Sequence, residues 1–82
     1  MEQATLTLKI YSPQKSIFEG VVERVSFPGA KAPFTILRNH APMISVLERG
    51  VIRWGADAEN EVAIAGGFVE IKDNVVTACV EI

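Results

Sequence analysis

Phe68-Val69-Glu70-Ile71-Lys72-Asp73-Asn74-Val75-Val76-Thr77-Ala78-Cys79-Val80-Glu81 is the stretch that decides the fold. Two apolar-rich runs, Phe68 to Lys72 and Val75 to Glu81, flank Asp73-Asn74, a pair that tolerates positive φ. The arrangement predicts two strands joined as a hairpin. The same signal recurs towards the N-terminus. In Thr5-Leu6-Thr7-Leu8-Lys9-Ile10, Leu6, Leu8 and Ile10 take one face and Thr5, Thr7 and Lys9 the other, until Ser12-Pro13 stops the run.

Between these ends the chain is cut into short pieces. Val21 to Phe27 reads as one strand bounded by Gly20 and Pro28-Gly29. Glu23 shares a face there with Val21, Val25 and Phe27, which a bulge or an outward-facing surface explains. Phe34 to Leu37, Met43 to Leu47, Val51 to Trp54 and Glu61 to Ala65 follow, with Gly66-Gly67 ahead of Phe68. No window shows an amphipathic helix. The 22 β-branched residues (ten Val, eight Ile, four Thr) against four Leu point the same way, because such side chains suit a pleated surface. The fold class is all-β, a small sandwich or barrel, and residues 1–82 form a single domain.

Composition excludes several functions. A formal charge of −2 and a pI near 5.3 argue against a nucleic-acid binder. One Cys makes neither an internal disulfide nor a Cys-based zinc site. The opening Met1-Glu2-Gln3 has no basic, apolar leader pattern, and Val62 to Val69 is far short of the ~20 residues of a spanning helix. His40, the single histidine, sits in a loop beside Asn39, Ala41 and Pro42, where a turn or packing role is the ordinary one. Cys79 reads as a small β-residue. Asp57, Glu59 and Glu61 lack the spacing of a calcium loop and read as a solvated loop. Gly66-Gly67 lacks the Lys-Ser/Thr ending of a phosphate loop. No catalytic residue, cofactor, metal or nucleotide site is assigned. A stand-alone oligosaccharide- or single-strand-binding module is the second reading. It needs exposed aromatics, and most of the six here sit at core positions, Phe68 included.

The order of motifs resembles one family. Ile17-Phe18-Glu19-Gly20-Val21-Val22 is followed by Phe27-Pro28-Gly29, by Arg38-Asn39-His40-Ala41-Pro42, and by Leu47-Glu48-Arg49-Gly50. Ala65-Gly66-Gly67-Phe68-Val69-Glu70 and Asn74-Val75-Val76-Thr77 close the set. Together they resemble the N-terminal domain of the epsilon subunit of F-type ATP synthases, over essentially the whole chain. The resemblance implies a ten-stranded β-sandwich of two five-stranded sheets. It implies a non-catalytic rotor subunit that packs on the gamma subunit and the membrane rotor ring of c subunits. Below the catalytic head, it couples proton flow to ATP synthesis at the cytoplasmic face of the bacterial cell membrane.

The resemblance also implies partner-binding positions: Ala30, Lys31, Ala32 and Pro33 in the loop after Pro28-Gly29, and Arg38, Asn39, His40, Ala41, Pro42, Met43 and Ser45 in and after the second turn. Pro42 fixes its own φ and restricts Ala41, so that turn is stiff, as a torque-transmitting joint requires. Lys31-Ala32-Pro33 departs from the Gly and acidic residue common in the family. One sandwich face is expected to be apolar for docking, either Val21, Glu23, Val25 and Phe27 or Met43-Ile44-Ser45-Val46. The family's C-terminal helical hairpin has no counterpart before Ile82, so the chain is either a naturally short subunit or an excised domain, and the start at Met1 favours the first as the expectation.

Overall fold

The computed structural model describes residues 5–82; the Met1 to Gln3 opening lies outside them. Nine strands follow in order: β1 Leu6–Tyr11, β2 Ser16–Val22, β3 Val25–Phe27, β4 Phe34–Ile36, β5 Met43–Leu47, β6 Gly50–Trp54, β7 Asn60–Ile64, β8 Gly66–Lys72 and β9 Val75–Glu81. They form a five-stranded sheet, β2-β1-β9-β8-β5, facing a four-stranded one, β4-β3-β6-β7. The all-β sandwich is as the sequence predicts.

Alternation on the large sheet builds half the core. Leu6, Leu8 and Ile10 of β1, Val69 and Ile71 of β8, and Val76, Ala78 and Val80 of β9 all point inward and are buried. The small sheet answers with Val25, Phe27, Ile36, Ile52, Trp54 and Ile64. Each fully buried aliphatic or aromatic side chain contributes roughly 1.5–3 kcal/mol. No polar or charged residue is buried among those described, so apolar packing fills the space between the two layers. Phe18 of β2 closes one end against Trp54 of β6, ring centroids 4.8 Å apart.

The predicted hairpin is present. Asp73 (φ 53°) and Asn74 (φ 64°) both adopt the left-handed conformation that a two-residue turn between twisted strands requires. β9 also pairs in parallel with β1, Leu8 opposite Val76, so the first and last strands lie side by side at the centre of the large sheet.

Three expectations are corrected. The run from Val21 to Phe27 is two strands in different sheets. The chain leaves β2 after Val22, bends at Glu23 and Arg24, and enters β3 at Val25. Val21 is therefore exposed, while Val22, Val25 and Phe27 are all buried. A continuous strand could not place residues 22 and 25 on one face. Second, Gly66 and Gly67 belong to β8, and Ala65 alone carries the chain between sheets, its N–H donating to the Glu81 carbonyl at 2.7 Å. Third, the second sheet has four strands among the described residues, not five. The stretch after β3 makes a single bridge, Gly29 to Leu47, and this joins it to β5 of the large sheet rather than adding a strand to the small one.

Gly67 admits the closest backbone approach. Its φ is 147°, and a Cβ there would overlap the Cys79 carbonyl oxygen and lie 2.8 Å from Val80 Cα. Gly67→Ala therefore costs at least ~2 kcal/mol through strain and overlap. Denaturant unfolding followed by the fluorescence of the single, buried Trp54 measures this, and an unchanged midpoint contradicts it.

Candidate functional site

Two of the expected segments lie at opposite ends of β5. Residues 30–33 form the tip of the β3–β4 hairpin. Ala30, Lys31, Ala32 and Pro33 are all exposed there. The tip is anchored rather than free. The Ala30 N–H donates to the Val46 carbonyl at 3.0 Å, and the Glu48 N–H donates to Pro28 at 2.9 Å. Phe27 and Phe34 pack across the hairpin, centroids 5.6 Å apart, over Gly29, whose Cβ would meet the Phe34 ring at 2.8 Å. The result is a stiff, small-residue tip carrying one cation, Lys31.

The second segment, residues 38–42, leads into the other end of β5. Arg38, Asn39, Ala41 and Pro42 are exposed and His40 is half-buried. Asn39 takes the left-handed conformation (φ 64°). The His40 ring donates from Nδ1 to the Ala41 carbonyl at 2.7 Å, which holds the imidazole against its own turn. Across the fold the turn meets the β8–β9 hairpin. The Asn39 N–H donates to Asn74 Oδ1 at 2.6 Å, and Asn74 Nδ2 donates to Asn39 Oδ1 at 3.1 Å.

β5, five residues or ~17 Å long, separates the two segments. Its alternation places Met43 and Ser45 on the inner side, half-buried, with Met43 packed against the core. Ile44 and Val46 point outward, 73% and 63% exposed. Val46 stands opposite Phe68 of β8, itself half exposed. The row continues through Cys79 of β9 to Tyr11 of β1. An apolar strip thus runs along β5 at the edge of the large sheet and extends inward across it from Val46, with a loop at each end of β5.

Phe68 is therefore a surface residue, contrary to the core position expected from sequence. Val69 and Ile71 take the inner face of β8, and Phe68 falls on the outer one with Glu70 and Lys72. That signal was available: a ring sharing its parity with two charges belongs outside. Of the two docking faces expected, the one built on Val25 and Phe27 lies in the core; the stretch 43–46 contributes through Ile44 and Val46.

Other candidates contribute little chemistry. Among the described residues Phe68 alone of the six aromatics is exposed, which does not favour a platform for stacking sugars or bases. Glu59 turns back to accept the Asp57 N–H at 3.0 Å, and Glu61 pairs with Arg53 at 3.3 Å on the small sheet. Both partners of that ion pair are more than half exposed, so it contributes at most ~1 kcal/mol.

Comparison with known proteins gives these features a context. The family profile described as "ATP synthase, Delta/Epsilon chain, beta-sandwich domain" matches residues 5–82. An ATP synthase epsilon chain from Desulfitobacterium hafniense is 45% identical over 74 residues, covering 89% of this chain and 56% of the relative. One from Thermosynechococcus vestitus is 37% identical over 76 residues, covering 92% and 55%. The chain thus spans little more than half the length of these relatives. Among solved structures, a chain in the central stalk/c-ring structure of the Tetrahymena thermophila mitochondrial ATP synthase superposes with a TM-score of 0.81 at 19% identity, over 99% of this chain and 66% of that one. A chain of the Euglena gracilis mitochondrial enzyme gives 0.81 at 18%, over 95% and 51%. These two likenesses show the fold.

The parity assignment of β8 is directly measurable. Phe68→Ser removes an exposed ring and changes stability by less than ~1 kcal/mol. Val69→Ser opens a cavity and buries a hydroxyl, costing ~3 kcal/mol or more. Thermal unfolding of the two variants separates them; equal losses would place Phe68 inside.

Proposed function

The chain belongs to the delta/epsilon β-sandwich family of ATP synthases, and from that membership we propose that it is a non-catalytic rotor module, joining the gamma subunit to the membrane ring of c subunits. The observation that carries the reading is the apolar strip of Ile44, Val46 and Phe68, flanked by two anchored loops on a sandwich that matches the family over residues 5–82. A rotor joint transmits torque between two bodies. It needs a surface large and apolar enough to stay attached, and contact loops that do not give way. The strip meets the first need, because exposed β-branched and aromatic side chains on one sheet edge gain free energy when a partner covers them.

The loops meet the second. The tip at residues 30–33 is tied to β5 through Ala30 and is closed by Pro33. The turn at residues 38–42 carries Pro42 and is bonded to Asn74. In this reading Lys31 and its small neighbours meet the ring, and the turn with Ile44 and Val46 meets gamma. Residues 1–82 act as one domain. The module sits at the cytoplasmic face of the bacterial cell membrane, below the catalytic head, and holds no reacting group of its own.

Replacing Ile44 and Val46 together by Lys tests the docking role. The changes lie on an exposed face, so the fold survives, and two charges must be desolvated in the interface. The expected outcome is a loss of about 100-fold or more in affinity for purified gamma, read by biolayer interferometry with the intact chain. Undiminished binding by the double variant contradicts the assignment of this strip.

A further inference from the structure

Asn74 joins three segments that are remote in sequence. Its backbone carbonyl accepts the Thr7 N–H of β1 at 2.9 Å. Its side chain makes the two bonds to Asn39, 35 positions away. The polarity of this bracket is fixed by chemistry. A backbone N–H only donates, so the Asn74 atom facing Asn39 N is oxygen. The remaining NH2 of Asn74 then needs an acceptor, and Asn39 Oδ1 is there. Both residues hold φ at 64°, which Asn tolerates better than other side chains. The left-handed turn at Asn39 thus brings its own N–H and Oδ1 to bear on one amide.

Resting on the rotor reading above, we infer that Asn74 is a positioning residue for partner docking. Its carboxamide sets the orientation of the turn at residues 38–42, and through the carbonyl bond to Thr7 it references that turn to the buried central strands. β4, which leads into the turn, is only three residues long, and the His40–Ala41 contact is internal to the turn. The Asn39–Asn74 bracket instead spans two elements of the fold. Torque or binding strain applied at the turn passes through it to β1 and β9, the paired strands at the heart of the large sheet.

The bracket separates two neighbouring positions of one turn. Asn74→Gly removes both side-chain bonds to Asn39 and tolerates the left-handed φ of 64°. Asp73→Gly relaxes the same turn, at φ 53°, and leaves the bracket intact. A general loosening of the hairpin is therefore shared by the two variants, and loss of the bracket is not. Two measurements on the intact chain decide the matter: amide hydrogen exchange at Asn39 by NMR, and affinity for purified gamma.

The expected result is that Asp73→Gly stays within about threefold of the parent in both, while Asn74→Gly speeds exchange at Asn39 and weakens binding by about tenfold. Central-strand amides such as those of Val69 and Ala78 remain protected. Equal effects of the two Gly variants overturn the inference, as does faster exchange at Asn39 with unchanged affinity in Asn74→Gly. If the parent chain itself fails to bind gamma while the exchange pattern holds, the rotor reading falls and takes this inference with it. That outcome is distinct from a variant-specific failure.

Discussion

The pairing register of β9 is the constraint on which the rest of the structure depends. Held antiparallel to β8 on one side and parallel to β1 on the other, it aligns Ile71, Val76 and Leu8 in one inward row and Val69, Ala78 and Ile10 in the next. A slip of β9 by one residue would send Val76, Ala78 and Val80 to solvent and bring Thr77 and Cys79 inside. The Asp73–Asn74 turn pins the register at one end, and the tight contact of Gly67 with Cys79 and Val80 pins it at the other. The same parity fixes what the molecule shows outwardly. Once Val69 is committed to the core, Phe68 must be exposed, and its cross-strand partner Val46 with it. Core and docking strip are two sides of one alternation.

The anchoring of the loops follows from the same sheet. The tip at residues 30–33 bonds to the last residues of β5, and the turn at residues 38–42 bonds to the hairpin that closes β8 and β9. Neither contact loop is held by its own residues alone; each takes its position from the large sheet. For a module proposed to carry torque this matters more than the strength of any single bond, since a stiff frame with compliant contacts would dissipate motion at the contacts.

What the sequence made legible, and what it hid, divides along physical lines. β1 and the β8–β9 hairpin were readable because alternation and turn chemistry are local. The switch between β2 and β3 was not. Val22 and Val25 both face the core only because the chain changes sheets at Glu23 and Arg24, and a periodicity argument assumes one sheet throughout. The tenth strand was carried by the family resemblance alone, and the small sheet has four strands among the described residues. Of the expected contact residues, the two loops were placed on exposed, anchored segments. Met43 and Ser45 proved to be the inward members of β5, and Ile44 and Val46 the outward ones. Both parities of that short run are largely apolar, so only the pairing with β8 distinguishes them. The Asn39–Asn74 bracket had no signature at all, because nothing in a linear spacing announces a bond across 35 residues.

The central claim is that one edge of the large sheet, with the loops at either end of β5, is the surface a rotor assembly covers. Oxidative footprinting of the intact chain, free and assembled with gamma and the c ring, tests it most directly. The account predicts strong protection at Pro33, His40, Ile44, Val46 and Phe68 on assembly, with Arg53 and Glu61 of the small sheet as reactive as before. Protection confined to β6 and β7, with Ile44, Val46 and Phe68 unchanged, would contradict it.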